Sequence, residues 1–113
     1  MTFKDYQKTA IKTDVFEGDK SVGSHAFIAK LLGLVGETGE VAEKFKKIYR
    51  DHEGHITPQQ TEEMKKELGD ILWYLSSIAD YLDLELDEIA SLNIEKLASR
   101  KTRGVLKGSG DNR

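Results

Sequence analysis

Between Thr57 and Leu82 the apolar residues Met64, Leu68, Ile71, Leu72, Leu75, Ile78, Ala79 and Leu82 recur at intervals that return to one side of a helix. A strand would need strict alternation, so this stretch reads as a long α-helix with a broad apolar face. Its start is also written in the chain. Thr57 serves as N-cap, Pro58 sits at the first helical position, and Gln60 at N3 closes a capping box. Each large aliphatic side chain, fully buried, stabilises by roughly 1.5–3 kcal/mol before entropy, so this helix is expected to carry the core. The run Ile71-Leu72-Trp73-Tyr74-Leu75 is apolar on more than one face. That predicts burial on two sides, with a subunit interface as a candidate for one of them.

The rest of the chain reads as helices around this one. Thr2, with Asp5 at N3, caps a first helix whose stripe is Phe3, Tyr6, Ala10 and Ile11 and which frays by Thr13. The polar segment 14–24 is loop, with Val15 and Phe16 as candidates to pin it to the core. A second helix is predicted from about Ser24 to about Asp51, with Phe27, Leu31, Leu34, Val35, Val41, Ala42, Phe45, Ile48 and Tyr49 at helical intervals. Gly33, Gly36 and Gly39 inside it each cost about 1 kcal/mol relative to alanine. They imply either close approach of another helix or room for a ligand. His52–Ile56 is a turn, and Asp83–Glu85 a short break. A fourth helix spans about Leu86–Lys101, with Ile89, Ala90, Ile94 and Leu97 expected to face the core. The segment from Thr102 is glycine-rich and basic, which composition reads as flexible. The fold class is therefore all-α, a four-helix, bundle-like arrangement: one domain over 1–103 and a C-terminal tail over 104–113.

Composition narrows the function. With 17 Lys and Arg against 20 Asp and Glu, the net charge is −3, which argues against a nucleic-acid polymer as the main partner. No cysteine is present, so thiolate chemistry and disulfides are out. No apolar run approaches membrane-spanning length, and Lys4 and Asp5 interrupt any leader-like start, so a cytoplasmic location with no membrane partner is expected.

Four carboxylates hold the chemistry. Glu37 and Glu40 form one i, i+3 pair, and Glu67 and Asp70 another. On helices each pair shares a face, with Cβ atoms about 5–6 Å apart. If the helices run antiparallel the pairs face each other, and their repulsion calls for a divalent cation with oxygen ligands. The plainer reading of each pair alone is a solvated acidic face. A Glu40–Lys44 surface pair, at i+4, would contribute only about 0.2–0.5 kcal/mol. Asn93, Lys96 and Arg100 share a face of the fourth helix, either a solvated face favoured by the helix dipole or a clamp for phosphate oxygens. No Glu-x-x-His pairing occurs, which argues against a di-iron site, and no phosphate-binding loop of the G-x-x-x-x-G-K-[ST] kind is present. Trp73 and Tyr74 are candidates either for core packing or for stacking on a base.

At these residues the chain resembles the MazG-type nucleotide pyrophosphohydrolases of the all-α NTP pyrophosphatase superfamily, as a short single-domain member. The family pattern, E-x-x-E followed after a spacer by E-x-x-D, is matched by Glu37-Thr38-Gly39-Glu40 and Glu67-Leu68-Gly69-Asp70, and Asn-x-x-Lys-x-x-x-Arg by Asn93, Lys96 and Arg100. The likeness covers about Ala26–Arg103. It implies Mg²⁺-dependent hydrolysis (Mn²⁺ as the alternative metal) of a nucleoside triphosphate to the monophosphate and pyrophosphate. Glu37, Glu40, Glu67 and Asp70 would be the metal ligands and catalytic acids, with one of them or Glu43 orienting the attacking water. Lys44, Lys96 and Arg100 would neutralise phosphate charge, and Asn93 would donate a hydrogen bond. The base would sit between helices, against Phe27, Trp73 or the first helix. The resemblance also implies helix packing across subunits, so a homodimer at least and a homotetramer as an extension. Selectivity for dUTP or dCTP, or a phosphoribosyl-ATP substrate, would need only a different base pocket. A helical adaptor with an acidic face is the alternative from another class.

Overall fold

In the computed structural model, which describes residues 1–113, the chain folds into α1 (Phe3–Ala10), a 3-10 turn over Ile11–Thr13, α2 (His25–His52), α3 (Pro58–Tyr81) and α4 (Leu86–Thr102), with no strand. The local signals act as expected. Thr2 and Asp5 close a capping box on α1, and Thr57 and Gln60 close one on α3 behind Pro58. Ser24 caps α2 by accepting from the Phe27 N–H. α2 ends where Glu53 and Gly54 both turn left-handed (φ 54° and 82°) and the Gly54 N–H donates to Ile48 O. No helix is long and apolar enough to cross a membrane.

α2 and α3 form a helical hairpin, and their mutual packing dominates the molecule. Its register is antiparallel: Lys44 meets Glu67, Glu37 meets Asp70 and Gly33 meets Tyr74, descending one helix while climbing the other. Gly33 explains part of its helix's glycine series. A Cβ there would collide with the Tyr74 ring, whereas nothing lies within 4 Å of one at Gly36 or Gly39. Close approach therefore accounts for Gly33 alone.

α1 packs against both α3 and α4. The α1–α4 junction is a reciprocal cap. Glu85 precedes α4 without a side-chain bond. Instead the Leu86 N–H donates to Gln7 Oε1 and Gln7 Nε2 donates to Leu84 O, both at 2.9 Å. Asp87 in turn accepts from the Lys4 N–H of α1 at 3.1 Å. These bonds serve helix-end groups that have no partner inside their own helix.

The core is small. Ala10, Ala26, Phe27, Ile48, Met64, Ala79 and Leu86 are buried together with Ser76, Ser77 and Arg100, ten residues of 113. Several residues expected in it are exposed: Leu68 and Leu75 on α3 and Leu82 just after it, Ile94 and Leu97 on α4, and Leu31, Val35, Phe45 and Tyr49 on α2. The reason is geometric. A hairpin covered on one side by a short α1 leaves apolar helix faces with no partner in the same chain. The radius of gyration is 17.1 Å, against about 13 Å for a compact chain of this length. The accessible surface of 8379 Å² is about a third above that of a compact monomer of this mass.

The C-terminal segment is folded, contrary to its composition. Arg113 donates to Val105 O, Leu106 O and Gly110 O, and Arg103 donates to Arg113 O. Gly104, Gly108 and Gly110 take positive φ to make the turns. Composition reads flexibility because it counts glycines. It does not register one guanidinium with carbonyls to gather.

Candidate active site

The α2–α3 register brings carboxylates from two separate stretches of chain together. Carboxylate oxygens of Glu37, Glu67 and Asp70 all lie within 4.8 Å of one another. Glu37 and Glu67 are half-buried, Asp70 is exposed, and Glu40, one helical turn from Glu37, is exposed and outside this group. Burial raises the Glu37 pKa, and the charges of Asp70, Glu67 and Glu40 raise it further. The same field reaches α1: burial, then the charge of Asp70, raises the Tyr6 phenol. This is a crowded set of hard oxygen donors, and its chemistry fits a small divalent cation.

Lys44 adjoins the cluster, but through a different partner from the one its sequence spacing offers. Its ammonium lies 2.9 Å from Glu67 across the hairpin and makes no ion pair with Glu40. The hydrogen bond to Glu67 raises the Lys44 pKa above its usual value, keeping it cationic beside the acids. Beyond Lys44, a cleft between the end of α2 and the start of α3 is lined by Lys47, Asp51, His52, Gln60 and Glu63. It is not legible along the chain, because no spacing within one helix encodes which residues of two helices share a groove. Glu43, the other acid on this part of α2, is paired with Lys46 at 3.0 Å.

The remaining candidates lie elsewhere. Trp73 sits at the α1–α3 junction: its indole N–H donates to Thr13 Oγ1 at 2.7 Å, its ring meets Tyr74 edge-on, and the Lys30 ammonium lies 4.6 Å from its ring centroid. Phe27 is buried. Asn93 and Lys96 are exposed on α4, whereas Arg100 is buried. None of the three pairs with the four acids in this chain; Lys96 and Arg100 are turned to the C-terminal segment.

A second polar cluster escaped sequence reasoning. Asp14, its side chain only 6% exposed, accepts from Lys30 Nζ at 3.1 Å, from the Tyr81 hydroxyl at 2.5 Å and from the Phe16 N–H at 3.3 Å. Burial opposes ionisation of Asp14, but the hydrogen bonds from Tyr81 and Lys30 outweigh it and hold the carboxyl below its usual range. Tyr81 moves the opposite way, raised by its burial and by its bond to Asp14. This cluster, rather than Val15, which is exposed, fixes the loop that leads into α2.

Comparison with known proteins places the chain in a family. The family profile described as the MazG nucleotide pyrophosphohydrolase domain matches residues 26–105, which contain all four acids and the three polar residues of α4. The Gene 37 protein of Mycobacterium phage L5 is 44% identical over 109 residues, spanning 96% of each chain. No solved structure matches the chain.

Proposed function

This chain belongs to the MazG nucleotide pyrophosphohydrolase family, and on that footing we propose that it hydrolyses a nucleoside or deoxynucleoside triphosphate to the monophosphate and pyrophosphate. The observation that carries the proposal is the convergence of Glu37, Glu67 and Asp70 from two helices, with Lys44 alongside. In the reaction the α–β anhydride bond breaks, the oxygen of water joins one phosphorus, and the displaced phosphate oxygen leaves on the other product. Glu37, Glu67 and Asp70 are the residues that would hold Mg²⁺, or Mn²⁺ in its place. A divalent ion there supplies neutralisation of phosphate oxygens and a more acidic water.

The chain's own residues divide the remaining work. Glu40 is the acid to take the proton of the attacking water, because it lies outside the group of three and has no ion-pair partner, whereas Glu43 is held by Lys46. Lys44 would neutralise developing phosphate charge beside the cluster. Lys96, Arg100 and Asn93 would bind the phosphates from α4. An assembly of at least two copies completes this reading: α4 packs on α1 and meets none of the acids in its own chain, and the exposed apolar faces of α2, α3 and α4 support a homodimer that covers them. Such an activity serves control of the nucleotide pool in the cytoplasm.

The test is pyrophosphate release by the purified protein from a panel of NTPs and dNTPs with Mg²⁺. Release is expected, with Glu40→Ala and Asp70→Ala lowering kcat by about a hundredfold or more, the scale of losing a general base or a metal ligand. Absence of release across the panel, or full activity in both variants, overturns the assignment.

A further inference from the structure

The cations of α4 are already engaged by an anion that the chain itself supplies. Arg100 Nη2 donates to Asp111 O at 2.6 Å and to Gly110 O at 3.3 Å. The Asp111 carboxylate lies 3.5 Å from Lys96 Nζ and 3.6 Å from Arg100 Nη2. The Arg100 side chain is 5% exposed, yet its Nε has no hydrogen-bond partner. A buried donor left unpaired is costly, so the guanidinium has bonding capacity that this arrangement does not use.

The segment that brings Asp111 there is built to hold its shape and also to let go. The Arg113 guanidinium gathers three carbonyls into a knot, and the Val105 N–H donates to Arg100 O at the foot of it. Almost nothing apolar anchors the knot: Val105 is half-buried, Leu106 exposed, and Asp111 itself 88% exposed. Its carboxylate contact with α4 lies at the surface, and an exposed ion pair such as Lys96–Asp111 contributes little against water or a competing anion.

We infer that residues 104–113 form a releasable strap in which Asp111 occupies the phosphate seat of Lys96 and Arg100, so that a polyphosphate ligand binds by displacing it. The inference rests on the reading of Lys96 and Arg100 as phosphate ligands. Asp111 carries one negative charge where a triphosphate brings several, so the exchange favours the ligand once it is present. Until then the strap masks the cations, and the apparent affinity is reduced by the fraction of molecules whose seat is free.

The experiment uses inorganic tripolyphosphate, which has the phosphates without a base, and the full-length protein. Calorimetry with wild type, Asp111→Asn and Lys96→Ala gives affinity, and amide hydrogen exchange across 104–113 reports the state of the strap. Tripolyphosphate is expected to bind wild type and to speed exchange in the strap, notably at Val105. Asp111→Asn is expected to tighten its binding about threefold to tenfold, and Lys96→Ala to weaken it. Unchanged or weaker binding in Asp111→Asn, or slower exchange in the strap with ligand, overturns the strap while leaving the phosphate site standing. Tripolyphosphate that fails to bind, or that binds Lys96→Ala as it binds wild type, removes the phosphate seat itself and the strap with it.

Discussion

Glu37 is where the fold most visibly works against a charge. Its burial, then Asp70, Glu67 and Glu40, raise its pKa. The folded protein therefore holds the Glu37 proton more tightly than the unfolded chain does. Stability linked to Glu37 is present below its ordinary value of 4.5 and is lost as pH rises through the raised folded value. The expected result in metal-free protein is that wild type loses Tm relative to Glu37→Gln as pH increases through that window. Thermal scans of the two proteins across pH measure it, and parallel curves would show that the acids do not share a field. Asp14 presents the opposite sign: its lowered pKa stabilises the fold above the ordinary value of 3.8 and ceases to do so as pH falls through the folded value. Neither behaviour is visible in a residue's own neighbours along the chain. Asp14 and Tyr81 are 67 positions apart.

Among the helices, the decisive contact is between Gly33 of α2 and Tyr74 of α3. Replacing Gly33 by alanine gains about 1 kcal/mol of helix propensity. The new methyl would meet the Tyr74 ring, which must swing away, at an overpacking cost of up to about 3 kcal/mol. Gly33→Ala is thus expected to lose up to about 2 kcal/mol net, read as a lower urea midpoint with an unchanged slope. A midpoint equal to wild type or above it would mean that the hairpin has slack at this point. Helix identities were legible because caps and periodicity are properties of consecutive residues. The Thr57-Pro58-Gln60 start needed no tertiary information, nor did the reach of α2 across three glycines. Which glycine touches a neighbour did need it, since Gly33, Gly36 and Gly39 are equivalent in spacing and differ only in what stands opposite.

The whole chain has more surface than a folded monomer of its size requires. Leu31, Val35, Leu68, Leu75, Ile94 and Leu97 are all exposed, and the excess over a compact monomer is of the size that an obligate interface covers, about 2,000 Å² or more. A dimer or larger assembly is expected by sedimentation at micromolar concentration, with a Tm that rises with protein concentration. Leu68→Lys should shift the population toward monomer. A monomer with a concentration-independent Tm would overturn the assembly, and with it the need for α4 to serve another chain's acids.

Helix boundaries, the two acidic pairs and the all-α class follow from the order of residues, because each is decided within a few turns of helix by propensity, capping and period. The site's final membership does not. Lys44 had Glu40 within reach on its own helix and took Glu67 on the next. Three of the four acids closed on one another while Glu40 stayed outside. Arg100 faced a choice between solvent and a tail that composition reads as loose, and it is buried by that tail. In each case local alternatives differ by less than a kcal/mol or so. The packing of α2 on α3, and the knot tied by Arg113, make the selection, since only they fix which groups share the same few ångströms.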